Sequence, residues 1–288
     1  MIKYSIIICS YNRFKLLSET IESVIEVLKN REDYEVLIID NNSPDETSSL
    51  KDIYSNNKKV KYVLESRQGL SHARNRGIDE SEGKILIFLD DDVELEPNYF
   101  QICDEIFSDD LVSIVGGKVL PYKVDIPSWL PNKYYFLVSV FDLGNKSKDV
   151  DTLMGANYSM RKSLALEVGY YNVDLGRKGD NLMGGEENDY FNRVLKLNYK
   201  ILYNPKLVVF HKINDKLNEN YVLTYSRDIG KSLRIIDTSL SKYNILKKTT
   251  KSYIALFFCK IFLLLTRNEK MKIYLKIVNQ YAYGYLNK

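Results

Sequence analysis

The 288-residue sequence predicts an α/β protein with a doubly wound, mostly parallel central sheet and a helical C-terminal extension. Three observations predict it. Apolar, β-branched runs recur at Tyr4–Ser10, Glu35–Asp40 and Lys84–Leu89, each read as a strand buried on both faces. Segments of helical period lie between them. Each run also ends in turn-forming or acidic residues, as strands feeding short loops do. Strands alternating with helices over short connections favour parallel pairing with right-handed crossovers.

In chain order, Ser10-Tyr11-Asn12-Arg13 supplies turn and capping chemistry after the first strand. Residues 14–29 form a helix with Leu17, Ile21, Val24, Ile25 and Leu28 on one face. Asn41-Asn42-Ser43-Pro44-Asp45 ends the second strand, Lys61–Leu64 is a short third, and residues 70–81 are helical. After about residue 110 the pattern changes. Val112–Leu120 reads as a strand interrupted by Gly116-Gly117, and 121–151 is irregular, with Pro121, Pro127, Trp129 and Pro131. Glu186–Leu197 reads as a helix, and Lys200–Tyr203 and Leu207–Phe210 as two short strands around Pro205. From about 219 the chain is helical. Lys, Asn and Asp accumulate at 212–219, so the expected division is 1–215 as one domain, with halves 1–110 and 111–215, and 216–288 as an extension.

Composition excludes several classes. The chain is 45% hydrophobic and 27% charged, which is globular. Its longest charge-free apolar run, Tyr253–Cys259, falls far short of the ~20 residues of a membrane span. The N-terminus reads as the start of a strand, without the pattern of a secretory signal. Cys9, Cys103 and Cys259 are odd in number, lie beside large apolar residues and form no CxxC pair. That favours a reducing compartment over a disulfide framework or thiolate zinc site. Only two histidines, His72 and His211, are present, which excludes a multi-histidine metal site. The net charge of +3 hides an asymmetry. Residues 241–288 carry ten Lys and Arg and one acid, leaving 31 basic and 37 acidic residues in 1–240. A basic end on an acidic body points to an anionic partner.

Ligands of open parallel sheets bind outside the carboxyl ends of the strands. Two strands here end in acids: Asp40, and the triplet Asp90-Asp91-Asp92. Three successive carboxylates repel unless a cation or solvent relieves them. With few His or Cys on offer, oxygen ligands select Mg²⁺ or Mn²⁺. The competing reading is a solvated turn. Asp40 alone is equally a turn former. Arg67, Arg74 and Arg76 surround one helix, as phosphate forks or as ordinary surface charge. Gly184-Gly185-Glu186-Glu187-Asn188-Asp189 sets a glycine pair before three acids, which complement a helix dipole or deliver a general base. His211 ends an apolar strand, as a structural residue or as a ligand.

Together these segments resemble family 2 glycosyltransferases of the GT-A fold. Ser5–Arg13 resembles the family's first strand and nucleotide loop, and Val36–Ser43 its second strand, whose acid contacts the base. Gly69–Ile78 resembles the arginine-containing helix start, Phe88–Asp92 the DxD region and Gly155–Arg161 the stretch beside donor sugar and acceptor. Gly185-Glu186-Glu187 stands where many members carry Glu-Asp, and Val209-Phe210-His211 resembles the late strand with a metal-proximal His. The motifs run in order through about 1–215. The resemblance implies an inverting transfer from a nucleotide sugar, uracil-based, to a saccharide or lipid-linked acceptor in cell-surface polysaccharide or glycolipid synthesis. It implies nucleotide contacts at Ser10, Tyr11, Asn12, Arg13, Asp40, Arg67, Arg74, Asp90 and Asp91, and Mn²⁺ or Mg²⁺ on Asp92, Asp90 and His211. Gly155, Ala156, Asn157 and Trp129 would line the donor or acceptor site. Trp129, with Tyr122, Tyr134 and Tyr135, is equally ordinary packing. The catalytic base would be Glu187 or its neighbour Glu186, the family's Asp being replaced by Glu187.

Residues 253–265 read YIALFFCKIFLLL with basic flanks. Two readings stand: a core helix with solvated lysines, or an interfacial helix contacting an anionic membrane through 247–272. A cytoplasmic protein is expected, and under the second reading it is peripheral on the inner face of the cell membrane. Nucleic acid is not an expected partner, since the charges flank an apolar segment without a base-reading motif. Two other functions compete. A sugar nucleotidyltransferase would open on a glycine-rich phosphate loop, which Ser10–Arg13 lacks. A non-catalytic nucleotide-sugar-binding scaffold would have no need of the acids at 90–92 and 186–187.

Overall fold

A computed structural model describes residues 1–179, 181–240 and 242–287; Lys288 of the basic end lies outside them. The chain divides into two compact units. The first comprises Met1–Tyr122, Val140–Val173 and Glu187–Lys212, and the second Lys123–Ser139, Asp174–Glu186 and Ile213–Lys288.

In chain order the elements are β1 (Tyr4–Ser10), α1 (Phe14–Leu28), β2 (Tyr34–Asp40), α2 (Leu50–Ile53), β3 (Val60–Leu64), α3 (Leu70–Glu80), β4 (Ile85–Leu89), β5 (Val93–Leu95) and α4 (Tyr99–Phe107). Then follow β6 (Ile114–Pro121), β7 (Lys148–Val150), β8 (Asn157–Arg161), α5 (Lys162–Val168), α6 (Glu186–Lys196), β9 (Ile201–His211), α7 (Glu219–Leu240), α8 (Lys242–Leu265) and α9 (Glu269–Leu286).

The first unit is one sheet in the order β3-β2-β1-β4-β8-β6-β9-β5, with β7 also paired to β9. The first four strands are parallel, as the apolar runs of β1, β2 and β4 and the helices between them predict. Beyond β4 the sheet is mixed: β8 is antiparallel to β4 and β6, β6 is parallel to β9, and β5 and β7 are antiparallel to β9. The two short strands expected around Pro205 are one strand with a break in its pairing. Gly116 faces Tyr203 and Lys118 faces Val208, so the β9 residues around Pro205, which has no N–H to donate, fall in the gap.

Side chains alternate across the sheet, and the two faces feed two cores. Ile6 and Ile8 of β1, Val36 and Ile38 of β2, and Ile85 and Ile87 of β4 pack with Leu17, Ile21 and Val24 of α1 and Phe100 and Cys103 of α4. Ile7, Leu37 and Phe88 point the other way, onto Ala73 of α3, Leu164 of α5 and Tyr190, Phe191 and Val194 of α6. Period-2 strands between period-3.6 helices thus give a three-layer unit. The helices spaced at i, i+3, i+4 were legible. β5 and α5, of 3 and 7 residues, are too short to show a period.

The second unit is helical. α7 and α9 approach so closely that a Cβ on Gly230 would lie 2.2 Å from the Tyr281 carbonyl, and one on Gly284 1.8 Å from the Arg227 carbonyl. Buried Asp237 of α7 accepts from Tyr285 of α9 (2.8 Å) and pairs with Lys248 of α8 (2.9 Å), tying the three helices. Arg177 donates to the Tyr221 hydroxyl of α7 (3.0 Å), and the Leu182 N–H donates to Asp228 of α7 (3.2 Å). Lys133 of the 123–139 stretch stacks over Tyr274 of α9 at 3.9 Å.

Asp104 of α4 joins its layer to the sheet. It accepts from Arg31 (2.5 Å), from the Tyr4 hydroxyl (2.7 Å) and from Lys3. Burial alone would raise its pKa, but the hydrogen bonds from Arg31, Lys3 and Tyr4 outweigh it and hold the group at about 2. A folded-state pKa below the unfolded value of about 4 stabilises the fold above that pH and is lost as pH falls toward 2. Asp104→Asn should therefore lower the urea midpoint at pH 6, and the difference from the parent should shrink below about pH 4 and be lost only below about pH 2.

Candidate active site

β1 and β4 are adjacent parallel strands, so the loops that leave their carboxyl ends lie side by side. Ser10 closes β1, and Asp90-Asp91-Asp92 follow β4. The third contributor comes from far along the chain. β5 pairs antiparallel with β9, Val93 opposite His211, and the Lys212 N–H donates to the Asp92 carbonyl (2.9 Å). This ladder brings the His211 imidazole Nε2 to 2.6 Å from one Asp92 carboxylate oxygen and 3.8 Å from Asp90.

Asp92 and His211 are fully buried, and Asp90 is part-exposed. One ligand atom from each lies within 4.8 Å of the others, a spacing that can hold a single metal ion. Two carboxylates and an imidazole suit Mn²⁺ or Mg²⁺, and a buried charge cluster of this kind is relieved by a cation. Arg13 already supplies one positive charge. It donates to Asp91 (2.8 Å) and to Asp92 (2.7 Å), and the Ser10 hydroxyl donates to the other Asp91 oxygen (2.6 Å). Burial pushes the Asp91 carboxyl up to about 6; Arg13 opposes the rise and the charge on Asp92 adds to it.

The turn between β1 and α1 borders a cleft of about 870 Å³, with Asn12–Leu16 on one side and Pro44–Glu46 on the other. Asn12 adopts a positive φ of 56°, and Tyr11 beside it is half-buried. The expected local cap of α1 is not formed; Asp45, 31 residues on, accepts from the Phe14 N–H instead (2.9 Å). Burial would raise the Asp45 pKa, but hydrogen bonds from Thr47 and the Phe14 N–H outweigh it and lower it. Asp40 is buried, with one oxygen accepting from the Ser43 N–H (2.9 Å) and the other from the Tyr62 hydroxyl (2.6 Å). Asn41 closes the loop by accepting from the Gly69 N–H (2.6 Å) and donating to the Arg67 carbonyl (2.8 Å). Asp45, Asn41 and Tyr62 were not singled out from the sequence. Asn41 and Asp45 read only as turn residues, because Gly69 and Arg67, which Asn41 binds, and Phe14, which Asp45 caps, lie more than 20 positions away.

The remaining residues form separate groups. Arg67 is exposed and binds Glu65 through two nitrogens (2.8 and 2.9 Å), which holds Glu65 at about 2. Arg74 is buried, stacks over Tyr171 and donates to Glu187 of α6 (2.8 Å). Gly155 makes room for that pair: a Cβ there would lie 2.0 Å from the Glu187 oxygen and 2.8 Å from Arg74. Ala156 is core. Asn157 is fully buried and engaged inside the sheet, donating to the Lys118 and Leu207 carbonyls and accepting from Tyr99. Glu186, also buried, and half-buried Trp129 belong to the second unit.

Residues 5–169 match the model of glycosyl transferase family 2. The chain belongs to that family. It is 27% identical over 244 residues to the glucosyl-dolichyl phosphate glucuronosyltransferase of Haloferax volcanii, covering 82% of this chain and 77% of that one. Over 98 residues it is 35% identical to the GalNAc(5)-diNAcBac-PP-undecaprenol beta-1,3-glucosyltransferase of Campylobacter jejuni, covering 33% of this chain and 31% of the relative. The fold is similar to the mannosyltransferase PcManGT of Pyrobaculum calidifontis, solved with GDP-Man and Mn²⁺ (TM-score 0.66, 14% identity, 99% of this chain and 87% of that one). It is also similar to GalNAc-T7, solved with UDP, GalNAc and Mn²⁺ (TM-score 0.57, 19% identity, 80% of this chain), of which the match spans 48%. The fold of this glycosyltransferase is therefore GT-A, as the order of its motifs implied.

Gly155→Ala tests the Arg74–Glu187 pair. The added methyl forces the two side chains apart, so stability should fall by about 1–3 kcal/mol in urea titrations. Arg74→Ala, which removes the pair, should make the glycine substitution milder in a double-mutant cycle.

Proposed function

We propose that this glycosyltransferase moves a sugar from a UDP-linked donor to a saccharide or lipid-linked acceptor, with inversion and with dependence on Mn²⁺ or Mg²⁺. The observation that carries the reading is the convergence of Asp90, Asp92 and His211 on one point beside Ser10 and Arg13. The two lipid-linked relatives and the two Mn²⁺-bound neighbours support the acceptor class and the metal.

In this reading the nucleotide lies along the β1–α1 turn, with Ser10, Tyr11, Asn12 and Arg13 against it and Asp40 toward the base. Asp90, Asp92 and His211 would hold a divalent cation, which would supply positive charge for the departing diphosphate. Asp91 supports the site through Ser10 and Arg13. Arg67, exposed on its loop, is the diphosphate contact. Glu187 takes the proton of the acceptor hydroxyl as that oxygen attacks the anomeric carbon and the nucleoside diphosphate leaves from the opposite face. Arg74 is a positioning residue that fixes the Glu187 carboxylate, and Glu186 is the alternative base. Gly155 leaves the room that Glu187 needs, and Ala156 and Asn157 support that stretch by packing. The catalytic part is 1–215, with the nucleotide half in 1–110. The extension 216–288 includes the segment 247–272 that would contact an anionic membrane from the cytoplasmic side.

A panel of UDP- and GDP-sugars with and without Mn²⁺ tests this. One UDP-sugar should raise the melting temperature only with metal, by an amount equivalent to about 2.7 kcal/mol at a hundredfold excess over Kd. Asp92→Ala should abolish that shift. Glu187→Gln should keep it while lowering transfer about 100-fold or more. Full transfer by Glu187→Gln with loss in Glu186→Gln moves the base to Glu186. A response to GDP-mannose alone refutes the uracil assignment.

A further inference from the structure

The apolar run at 253–265 lies in α8, and α8 does not bury it. Ser252 and Cys259, seven residues apart, face inward at 7% and 5% exposure. At 100° per residue the opposite side of the helix carries Ile254, Phe257, Ile261, Leu264 and Leu265, with Tyr253, Phe258 and Phe262 at its exposed margins. Phe257 is 64% exposed and Leu264 88%. This is a contiguous apolar stripe about 20 Å long, far more than the scattered exposed residues of an ordinary soluble surface.

Cations border the stripe. Lys247 and Lys251 precede it, Lys260 lies within it, and Arg267 and Lys270 follow. All five are exposed, and among the described residues none is in an ion pair, whereas Lys248, Lys272 and Lys276 are each bound to a carboxylate. Among the described residues no helix is long and apolar enough to cross a membrane. An apolar face with a cationic border, on a helix that does not span, fits a bilayer interface.

We propose that the outer face of α8 docks on an anionic lipid surface, the helix lying in the interface plane with its aromatic and leucine side chains among the acyl chains. The lysines and arginine bind the lipid phosphates. A second copy of the chain is a poorer occupant, because self-association would bring together two faces that are each bordered by these five exposed cations. The inference rests on the membrane contact proposed above and narrows it from 247–272 to this one face. Its test needs no sugar transfer, so its failure leaves the transferase reading to its own assay.

Vesicle flotation of the full chain, without donor or acceptor, decides it. Vesicles of phosphatidylcholine with phosphatidylglycerol should bind the protein at least about tenfold more tightly than phosphatidylcholine alone, and high salt should weaken the binding. Phe257→Ser with Phe262→Ser should cut binding at least about tenfold at an unchanged or higher melting temperature, since both side chains are exposed in the fold. Lys251→Glu with Lys260→Glu should remove the preference for phosphatidylglycerol. Equal binding to both vesicle types, or none to either, overturns the proposal. So does a dimer in light scattering that the phenylalanine substitutions dissolve while vesicle binding persists, which assigns the face to a second copy.

Discussion

The antiparallel ladder between β5 and β9 is the constraint on which the candidate site depends. Val93 faces His211, so Asp92, one residue before, meets an imidazole 119 positions away in sequence. Neither side chain could find the other from its own strand, because β4 and β9 are not neighbours in the sheet. The three-residue β5 turns the chain leaving the acidic triplet back along β9. A backbone register thus sets the spacing of two carboxylates and an imidazole to within the reach of one cation.

That arrangement concentrates negative charge where water is excluded. Burial raises the Asp91 pKa, and the neighbouring acids add to the effect. Arg13 offsets it with a two-pronged contact to Asp91 and Asp92, and Ser10 adds a hydroxyl donor. A guanidinium keeps its charge at any physiological pH, so it stabilises the cluster without titrating. The same solution recurs deeper in the unit, where Arg74 meets Glu187 against the ring of Tyr171. Gly155 is what allows the approach, and a side chain of any size would occupy the space of the ion pair. Charge compensation and the omission of one Cβ are, in these two places, the same design problem: fitting ions into a packed interior.

The second unit follows different rules. Its helices are held by a buried carboxylate on three elements and by backbone approach at Gly230 and Gly284. Having met those demands with α7 and α9, it leaves α8 with one face committed and one face open. The open face keeps its apolar side chains, at a solvation cost that only an apolar surrounding removes.

The sequence by itself determined the class of the fold and the identity of most chemical groups. β1, β2 and β4 are mostly apolar because both of their faces are covered, and that signature is local and strong, as are the periods of α1, α3 and α6. The acids at 90–92, His211 and the pair at 186–187 were visible as residue types in the order family 2 glycosyltransferases carry them. The tertiary structure decided which of them meet. It joined His211 to Asp92 and Arg13 to the triplet, gave α1 a cap from Asp45, and sent Asn157 into hydrogen bonds within the sheet. It also settled that α8 exposes its apolar run, which composition left balanced between core and surface. The physical reason is the same in each case. Periodicity and propensity act over a few neighbouring residues, whereas pairing of side chains 20 to 120 positions apart depends on strand order and register, which no local pattern encodes.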